Sequence, residues 1–208
     1  APENTLGGFQ YIHDLGIRAV EFDVRQLKDD ALIVMHDDNF LRTTGIDQKL
    51  YQLDSTQFEA YNQANIWMDW EKQVTPTLRQ SLNIMHDFDH LEVEVKAVDT
   101  QVQAEKLIAE LQQQLKGFEH TAVITSFDLK IHHALILQNT HFKHGLLIEN
   151  NIGEKAIEQA IELQCCQIGW MNQLATDEII KTTQKAGLAV SVWTVNDIER
   201  AKHLRNLK

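Results

Sequence analysis

The chain has 208 residues, 43% of them hydrophobic, which is enough apolar material for one domain spanning residues 1–208. Its formal net charge is −11 and no basic stripe is visible, so we do not expect a nucleic-acid partner. No run of ~18 apolar residues occurs, so we expect no transmembrane segment, and the adjacent cysteines, Cys165 and Cys166, provide no disulfide framework, which favours the reducing cytoplasm.

Strand-like and helix-like runs alternate along the chain. The predicted strands cover residues 19–24, 31–36, 91–96, 121–127, 145–149, 165–171 and 188–195. The predicted helices cover residues 5–15, 77–89, 100–116, 129–139, 153–164, 176–186 and 197–206. Residues suited to N-caps open three of the helices: Asn4, Asp128 and Thr176. Glycines suited to a left-handed C-cap follow three helices: Gly16, Gly117 and Gly187.

This alternation predicts a parallel α/β fold, either a doubly wound sheet or an eight-stranded barrel. Six strand–helix units can be counted, with the run 31–36 read as the hairpin partner of its neighbour. Because the chain opens in a loop before a helix and stops at the end of a helix, we expect one strand before Ala1 and another after Lys208. Eight strands favour a TIM (β/α)8 barrel of ~250 residues. Without the flanking strands the sheet edges would be open, so a polypeptide limited to these residues should be poorly soluble and inactive.

Two strand-like runs carry carboxylates at matching places. Glu21 and Asp23 lie two residues apart and therefore share one face of the first run, and Glu94 lies on the charged face of the run 91–96. Parallel sheets are usually covered on both faces, so these charges need a partner. Two carboxylates ~4 Å apart repel by ~4 kcal/mol at an effective dielectric near 20. Oxygen ligands of this kind suit a divalent cation such as Mg²⁺ or Ca²⁺; the alternative interpretation is an exposed polar strand face.

Two further side chains could take part in chemistry beside the carboxylates. His36 ends an apolar strand-like run and is followed by two aspartates, which suits a general acid or base, although a structural histidine is the alternative. Lys96 lies on the face of Glu94, where it can pair with that carboxylate or bind an anionic substrate. His86 and His90 have the spacing of a helix face, but the glutamate of a zinc-protease motif is absent.

Seven short motifs occur in a characteristic order and spacing. In chain order they are Ala1-Pro2-Glu3-Asn4-Thr5, Glu21-x-Asp23-Val24, His36-Asp37 followed by Leu41-x-Thr43-Thr44, Thr75-Pro76-Thr77-Leu78, Glu94-x-Lys96, Ser126-Phe127 and Val192-Trp193-Thr194-Val195-Asn196. With these motifs the chain resembles the glycerophosphodiester phosphodiesterases over essentially its whole length. The resemblance implies a TIM barrel that hydrolyses a small-molecule glycerophosphodiester to sn-glycerol 3-phosphate and an alcohol.

The resemblance also implies roles for individual residues. The positions that match the family's ligands for one divalent cation (Mg²⁺ or Ca²⁺) are Glu21, Asp23 and Glu94. His36 matches one of two acid/base histidines, and Lys96 matches a lysine that contacts the phosphate. Phe127 and Trp193 match residues that shape the pocket. The other histidine of the family belongs to a His-Arg-Gly motif, which we expect shortly before Ala1.

In the implied mechanism the 2-hydroxyl of glycerol attacks phosphorus while one histidine takes its proton and the other protonates the leaving alcohol. Two rival functions remain open from the sequence. A lysophospholipase D-like phosphodiesterase would be favoured by a long apolar lip around the pocket. A non-catalytic binding module would keep the cation site and lack the first histidine, so a His-Arg-Gly upstream of Ala1 would support an enzyme.

Overall fold

The computed structural model describes residues 1–58 and 60–207. The strands are β1 (Ala19–Gln26), β2 (Leu32–Val34), β3 (His90–Val95), β4 (Ala122–Ser126), β5 (Lys143–Ile148), β6 (Gln167–Met171) and β7 (Ala189–Trp193). The helices are α1 (Leu6–Asp14), α2 (Leu41–Thr44), α3 (Leu78–Ile84), α4 (Gln101–Gln114), α5 (Leu129–Leu137), α6 (Lys155–Glu162), α7 (Asp177–Lys185) and α8 (Ile198–Arg205), with a 3-10 turn at Leu50–Gln52. Each of the predicted strands and helices is present, so the predicted alternation is confirmed.

The strands form one sheet in the order β2-β1-β3-β4-β5-β6-β7. Strand β2 runs antiparallel to β1, which confirms the predicted hairpin, and the remaining pairs are parallel. Within residues 1–58 and 60–207 no ladder joins β7 to β1 or β2. The expectation of further strands outside this chain stays a prediction.

A hydrogen bond across the sheet reveals that the sheet curls into a barrel wall. Glu92 on β3 accepts hydrogen bonds from Gln167 on β6 at 3.0 Å and from Ser191 on β7 at 3.4 Å. In a flat sheet β3 and β7 would be four spacings of about 4.8 Å apart, or ~19 Å. The side chains can meet only because the wall bends round, so the face that carries Glu92 is the concave interior.

The two faces of the wall follow the alternation of the sequence. Residues such as Phe22 and Val93 point away from the interior and join large apolar clusters with the surrounding helices, which include Leu107 of α4 and Ile157 of α6. Their burial removes apolar surface from water and is the main favourable term holding helices to sheet. Because side chains alternate along a strand, the intervening positions face the interior, and several of these are charged. Within the described part of the chain, no helix has the length and apolarity needed to cross a membrane.

The predicted helix ends lie within two residues of the observed ones except at the end of α3, and one predicted cap differs. The predicted N-cap Asn4 is wrong, because Thr5 caps α1 by accepting from the Gly8 amide, while Asp128 and Thr176 cap their helices as predicted. The predicted glycine C-caps all have positive φ, at Gly16, Gly117 and Gly187. Helix α3 ends at Ile84, five residues before the predicted end. His86 therefore follows the helix, and His90 begins β3, where it pairs with Ala19 of β1. These two histidines do not share a helix face.

One segment has a small core of its own. Between β2 and α3 the chain forms helix α2 and the 3-10 turn, which the sequence did not predict because three or four residues are too short to show a period. Seven buried apolar side chains hold this segment against β2 and its neighbouring turn: Leu27, Ile33, Met35, Phe40, Leu50, Leu53 and Phe58. The segment thereby fixes the stretch of chain that follows β2.

Candidate active site

Three carboxylates from adjacent strands converge in the barrel interior. Strands β1 and β3 are parallel neighbours, and their register sets Asp23 opposite Glu94 and Glu21 opposite Glu92. One oxygen each from Glu21, Asp23 and Glu94 lies within 4.8 Å of the others. Asp23 is buried, Glu94 is half-buried and Glu21 is exposed, so the cluster opens towards solvent on the side of Glu21. This arrangement offers oxygen ligands of the kind that Mg²⁺ and Ca²⁺ prefer.

Lys96 is drawn into the same cluster. It follows β3, and its Nζ lies 2.5 Å from Asp23 Oδ1 and donates a hydrogen bond to Glu94. Burial alone would lower the pKa of Lys96, but the two carboxylates outweigh it and raise that pKa. Lys96 is therefore a fixed positive charge beside the acidic group.

A side chain that the sequence assigned to a helix cap instead holds Asp23 in place. Asn4 Nδ2 donates to Asp23 Oδ2 at 2.7 Å, and the Asp23 amide donates to Asn4 Oδ1 at 3.2 Å. The other oxygen, Asp23 Oδ1, is buried and lies 2.5 Å from the Lys96 ammonium. Asp23 is therefore held by Asn4 through one oxygen and by a positive charge at the other. The sequence feature that could have identified Asn4 as a site residue is its position in the first of the seven motifs.

His36 lies beside this cluster, in the segment after β2. A cavity of about 350 Å³ is lined by His36, Glu21 and Asp23 together with residues of the N-terminal segment and α1. The carbonyl of His36 accepts two hydrogen bonds from the Arg25 guanidinium, at 3.0 and 2.7 Å. Arg25 was not identified from the sequence, and it ties the histidine backbone to the strand that carries two of the carboxylates.

The orientation of the His36 ring is set by a chain of charged side chains. His36 Nδ1 lies 2.7 Å from Asp37 Oδ1, and Arg42 donates to Asp37 Oδ2 at 2.7 Å and pairs with Glu3. Burial would raise the pKa of Asp37, but the hydrogen bonds from Arg42 and His36 outweigh it and hold that pKa below its usual value. An ionised carboxylate only accepts, so Nδ1 of His36 carries the hydrogen and Nε2 is left for another partner.

The two predicted pocket residues form a separate contact at the same end of the barrel. Phe127 follows β4 and Trp193 ends β7, and their rings meet edge to face at 89° with centroids 5.4 Å apart. Trp193 Nε1 also donates to the Gly169 carbonyl at 3.1 Å, which holds the indole against β6. Both rings are half-buried and follow the carboxyl ends of their strands, where barrel active sites lie.

The carboxylate cluster should make stability depend on pH. The surrounding protein removes water from around the Glu21 carboxyl, and this desolvation, followed by the charges of Asp23 and Glu94, raises its pKa to about 8. Glu21 keeps an exposed edge, so water screens part of the repulsion. The folded protein therefore holds a proton on Glu21 that the unfolded chain has already released above its ordinary pKa, near 4.5. The contribution of Glu21 to the free energy of unfolding is largest below pH 4.5, and it decreases as the pH rises to about 8.

We expect the melting temperature of chelator-treated protein to fall between pH 5 and 8, and Glu21→Gln to flatten that fall because glutamine does not titrate. Thermal unfolding at several pH values measures both slopes. Equal slopes in the two proteins would contradict the raised pKa of Glu21.

The chain is similar to known proteins both in sequence and in structure. It matches the glycerophosphoryl diester phosphodiesterase family over residues 1–208. A glycerophosphodiester phosphodiesterase of Caldanaerobacter subterraneus is 25% identical over 206 residues, which cover 96% of this chain and 84% of the relative. A human lysophospholipase D is 32% identical over 59 residues, covering 28% of this chain and 19% of the relative. A solved structure of an Oleispira antarctica phosphodiesterase, in complex with the product sn-glycerol-3-phosphate, has a TM-score of 0.87 at 22% identity and covers 100% of this chain and 85% of that one.

The structural likeness confirms the predicted TIM-barrel fold, and Asp23, Glu94 and Lys96 lie towards the carboxyl ends of β1 and β3. Fold and family match together define an enzyme of the phosphoric diester hydrolase class. The chain belongs to the glycerophosphoryl diester phosphodiesterase family.

Proposed function

We propose that the protein hydrolyses glycerophosphodiesters to sn-glycerol 3-phosphate and an alcohol. The observation that carries the proposal is the convergence of Glu21, Asp23 and Glu94 with Lys96, beside a cavity that His36 also lines. The family match over the whole chain supports the substrate class. The product seen in the Oleispira antarctica structure is the product expected here.

We propose that Glu21, Asp23 and Glu94 hold one divalent cation, Mg²⁺ or Ca²⁺. The donor set fits, because all three ligands are carboxylate oxygens and Asp23 Oδ1 already faces the positive charge of Lys96. When bound, the cation would offset the charge of the phosphodiester and lower the pKa of a nearby hydroxyl. Lys96 would then turn from the carboxylates towards the phosphate.

His36 is proposed to move a proton at Nε2. Because Asp37 accepts the hydrogen on Nδ1, Nε2 of the neutral ring carries the lone pair that can take a proton from a hydroxyl of the substrate. Asp37 and Arg42 act as positioning residues, since they orient the ring and reach no reacting atom themselves. A second group must return a proton to the leaving alcohol, as the resemblance to the family implies.

Lys96 and the aromatic pair are proposed to bind the substrate. An ammonium beside the carboxylates provides a positive charge for a phosphate oxygen, and hydrogen bonds to charged groups contribute about 1.5–3 kcal/mol. Phe127 and Trp193 present an apolar surface at the same end of the barrel, which suits the carbon atoms of the glycerol group or of the alcohol.

A product assay tests the proposed function directly. The purified protein, expressed from its natural reading frame, is treated with a chelator and then supplied with Mg²⁺, Ca²⁺ or no cation. Release of sn-glycerol 3-phosphate from glycerophosphocholine, glycerophosphoethanolamine and glycerophosphoglycerol is then measured beside a lysophospholipid. We expect cation-dependent release from the water-soluble diesters. Faster turnover of the lysophospholipid would favour the lysophospholipase D alternative, and no turnover of any substrate would favour the binding module. Localisation in the cytoplasm stays a prediction.

Replacement of Lys96 separates substrate binding from the proton transfer. Lys96→Met should raise KM by roughly ten- to a hundredfold at saturating cation, because it removes a charged hydrogen bond worth about 1.5–3 kcal/mol. The matched control is Lys130→Met, whose Nζ lies 2.9 Å from Asp128 after the next parallel strand. Steady-state kinetics on both variants measure the effect. An unchanged KM for Lys96→Met would contradict the phosphate contact.

A further inference from the structure

A second group of candidate metal ligands lies on the other side of the barrel wall. His132 on α5, His144 on β5 and Cys165 just before β6 meet between helix and sheet, with exposures of 0%, 6% and 7%. His144 lies opposite Ile124, which belongs to the apolar cluster beneath the helices, so His144 faces the helices as well. The carboxylates, by contrast, face the barrel interior. The proposed catalytic function makes no use of these three residues.

The distances within this trio match the edges of a metal coordination shell. The two Nδ1 atoms are 3.2 Å apart, and Cys165 Sγ lies 3.7 Å from that of His132 and 3.6 Å from that of His144. In a tetrahedral zinc site, Zn–N of about 2.0–2.1 Å and Zn–S of about 2.3 Å separate two nitrogens by ~3.3 Å and nitrogen from sulfur by ~3.6 Å. The three ligand atoms are therefore already spaced as zinc would require.

The surroundings of His132 have the form of an outer coordination shell. His132 Nε2 lies 3.1 Å from the Ser126 carbonyl, which only accepts, so Nε2 carries the hydrogen. With its hydrogen on Nε2, the neutral ring has its lone pair on Nδ1, which faces His144 and Cys165. Metal-binding histidines usually donate their other ring hydrogen to a carbonyl or carboxylate in this way, which fixes the tautomer.

A surface cleft reaches one member of the trio. It has a volume of about 280 Å³, lies between the end of α5 and the start of β5, and is lined by His144 and Cys166 among others. The trio thus combines buried ligands on three separate elements with a cleft that opens at His144. Without a cation the three side chains satisfy one another by hydrogen bonding, which keeps the group assembled.

We propose that His132, His144 and Cys165 bind zinc, with one water as the fourth ligand, and so tie helix α5 to strands β5 and β6. Thiolate and imidazole ligands select zinc over the hard cations that carboxylates prefer. On binding, the Cys165 thiol gives its proton to water and its sulfur bonds to the ion, while His144 releases its Nδ1 hydrogen to water and takes one up on Nε2. The site is independent of the hydrolytic reaction, so loss of zinc should lower stability before it lowers the rate.

Cobalt is the direct probe, because a thiolate bound to Co²⁺ gives an intense charge-transfer absorption near the ultraviolet that carboxylate ligands do not give. The chelator-treated full-length protein, kept reduced and in excess Mg²⁺, is titrated with Co²⁺ and then with Zn²⁺. We expect one such band per chain, bleached by one equivalent of Zn²⁺. Absence of the band in the unaltered protein would overturn the proposal whatever the variants do.

Two matched pairs of variants identify the ligands. Cys165→Ser and His132→Gln should weaken zinc binding by more than the ~10–100-fold typical for loss of an outer-shell partner. Cys166→Ser and His133→Gln are the controls, because each alters the adjacent residue outside the trio and should leave affinity and band unchanged. Zinc should raise the melting temperature of the unaltered protein and both controls, but not of the ligand variants. A band that survives Cys165→Ser, or that disappears in Cys166→Ser, would assign the ion to other ligands.

Discussion

Glu21→Gln is expected to abolish nearly all turnover and to weaken Mg²⁺ or Ca²⁺ binding. The substitution removes one of three carboxylates whose oxygens lie within 4.8 Å of each other and leaves the size of the side chain unchanged. An amide oxygen carries no net charge, so the remaining pair offsets less of the cation's desolvation cost. Isothermal calorimetry of the cation and the rate of sn-glycerol 3-phosphate release measure the two effects.

Glu92→Gln is the matched control for this substitution. Glu92 lies opposite Glu21 in the register of β1 and β3 and faces the same interior, but it bonds to Gln167 and Ser191 rather than joining the three carboxylates. We expect this variant to keep the cation affinity and most of the turnover. If Glu21→Gln bound the cation as tightly as the unaltered protein, or if both variants lost it equally, the proposed cation site would be wrong.

His36→Ala is expected to lower kcat by ~10²–10⁴ while the cation affinity stays the same, which is the usual effect of removing a positioned proton-transfer group. The ring lines the same cavity as Glu21 and Asp23, and its Nδ1 is occupied by Asp37. Steady-state rates at saturating substrate, with calorimetry of the cation beside them, distinguish this outcome from damage to the cation site.

The control for His36 is another exposed histidine bound to an aspartate. His203 on α8 lies 2.8 Å from Asp177 and away from the carboxylates, so His203→Ala should leave kcat unchanged. Retention of most of kcat by His36→Ala would exclude His36 from the proton transfer. Loss of cation affinity together with kcat would instead give His36 a role in holding the cluster together.

Local patterns in the sequence were sufficient for much of the fold. The alternation of Glu21 and Asp23 with Phe22 predicted which side of β1 is charged, and the structure has Phe22 buried among the helices. Strand–helix alternation predicted the parallel sheet, because such connections leave few other topologies. Helix caps such as Asp128 could also be predicted, because each cap depends on contacts within a few residues of the chain.

Contacts between distant segments could not be read in this way. Asn4 looks like a helix cap from its neighbours, but its partner Asp23 is 19 positions away. The bonds from Arg25 to His36 and from Arg42 to Asp37 likewise depend on how β1, β2 and α2 are brought together. No spacing rule predicts such pairs, because each needs the strand register and the path of the loop to be known first.

The same distinction separates the two clusters of candidate ligands. Glu21, Asp23 and Glu94 could be proposed from the sequence by themselves, because the period of two puts charges on one face and parallel pairing puts neighbouring faces together. His132, His144 and Cys165 come from a helix, a strand and a loop, and no shared period relates them. Only the packing of α5 against β5 and β6 brings their ligand atoms within 3.2–3.7 Å of one another. This second candidate site could therefore be identified only from the tertiary structure.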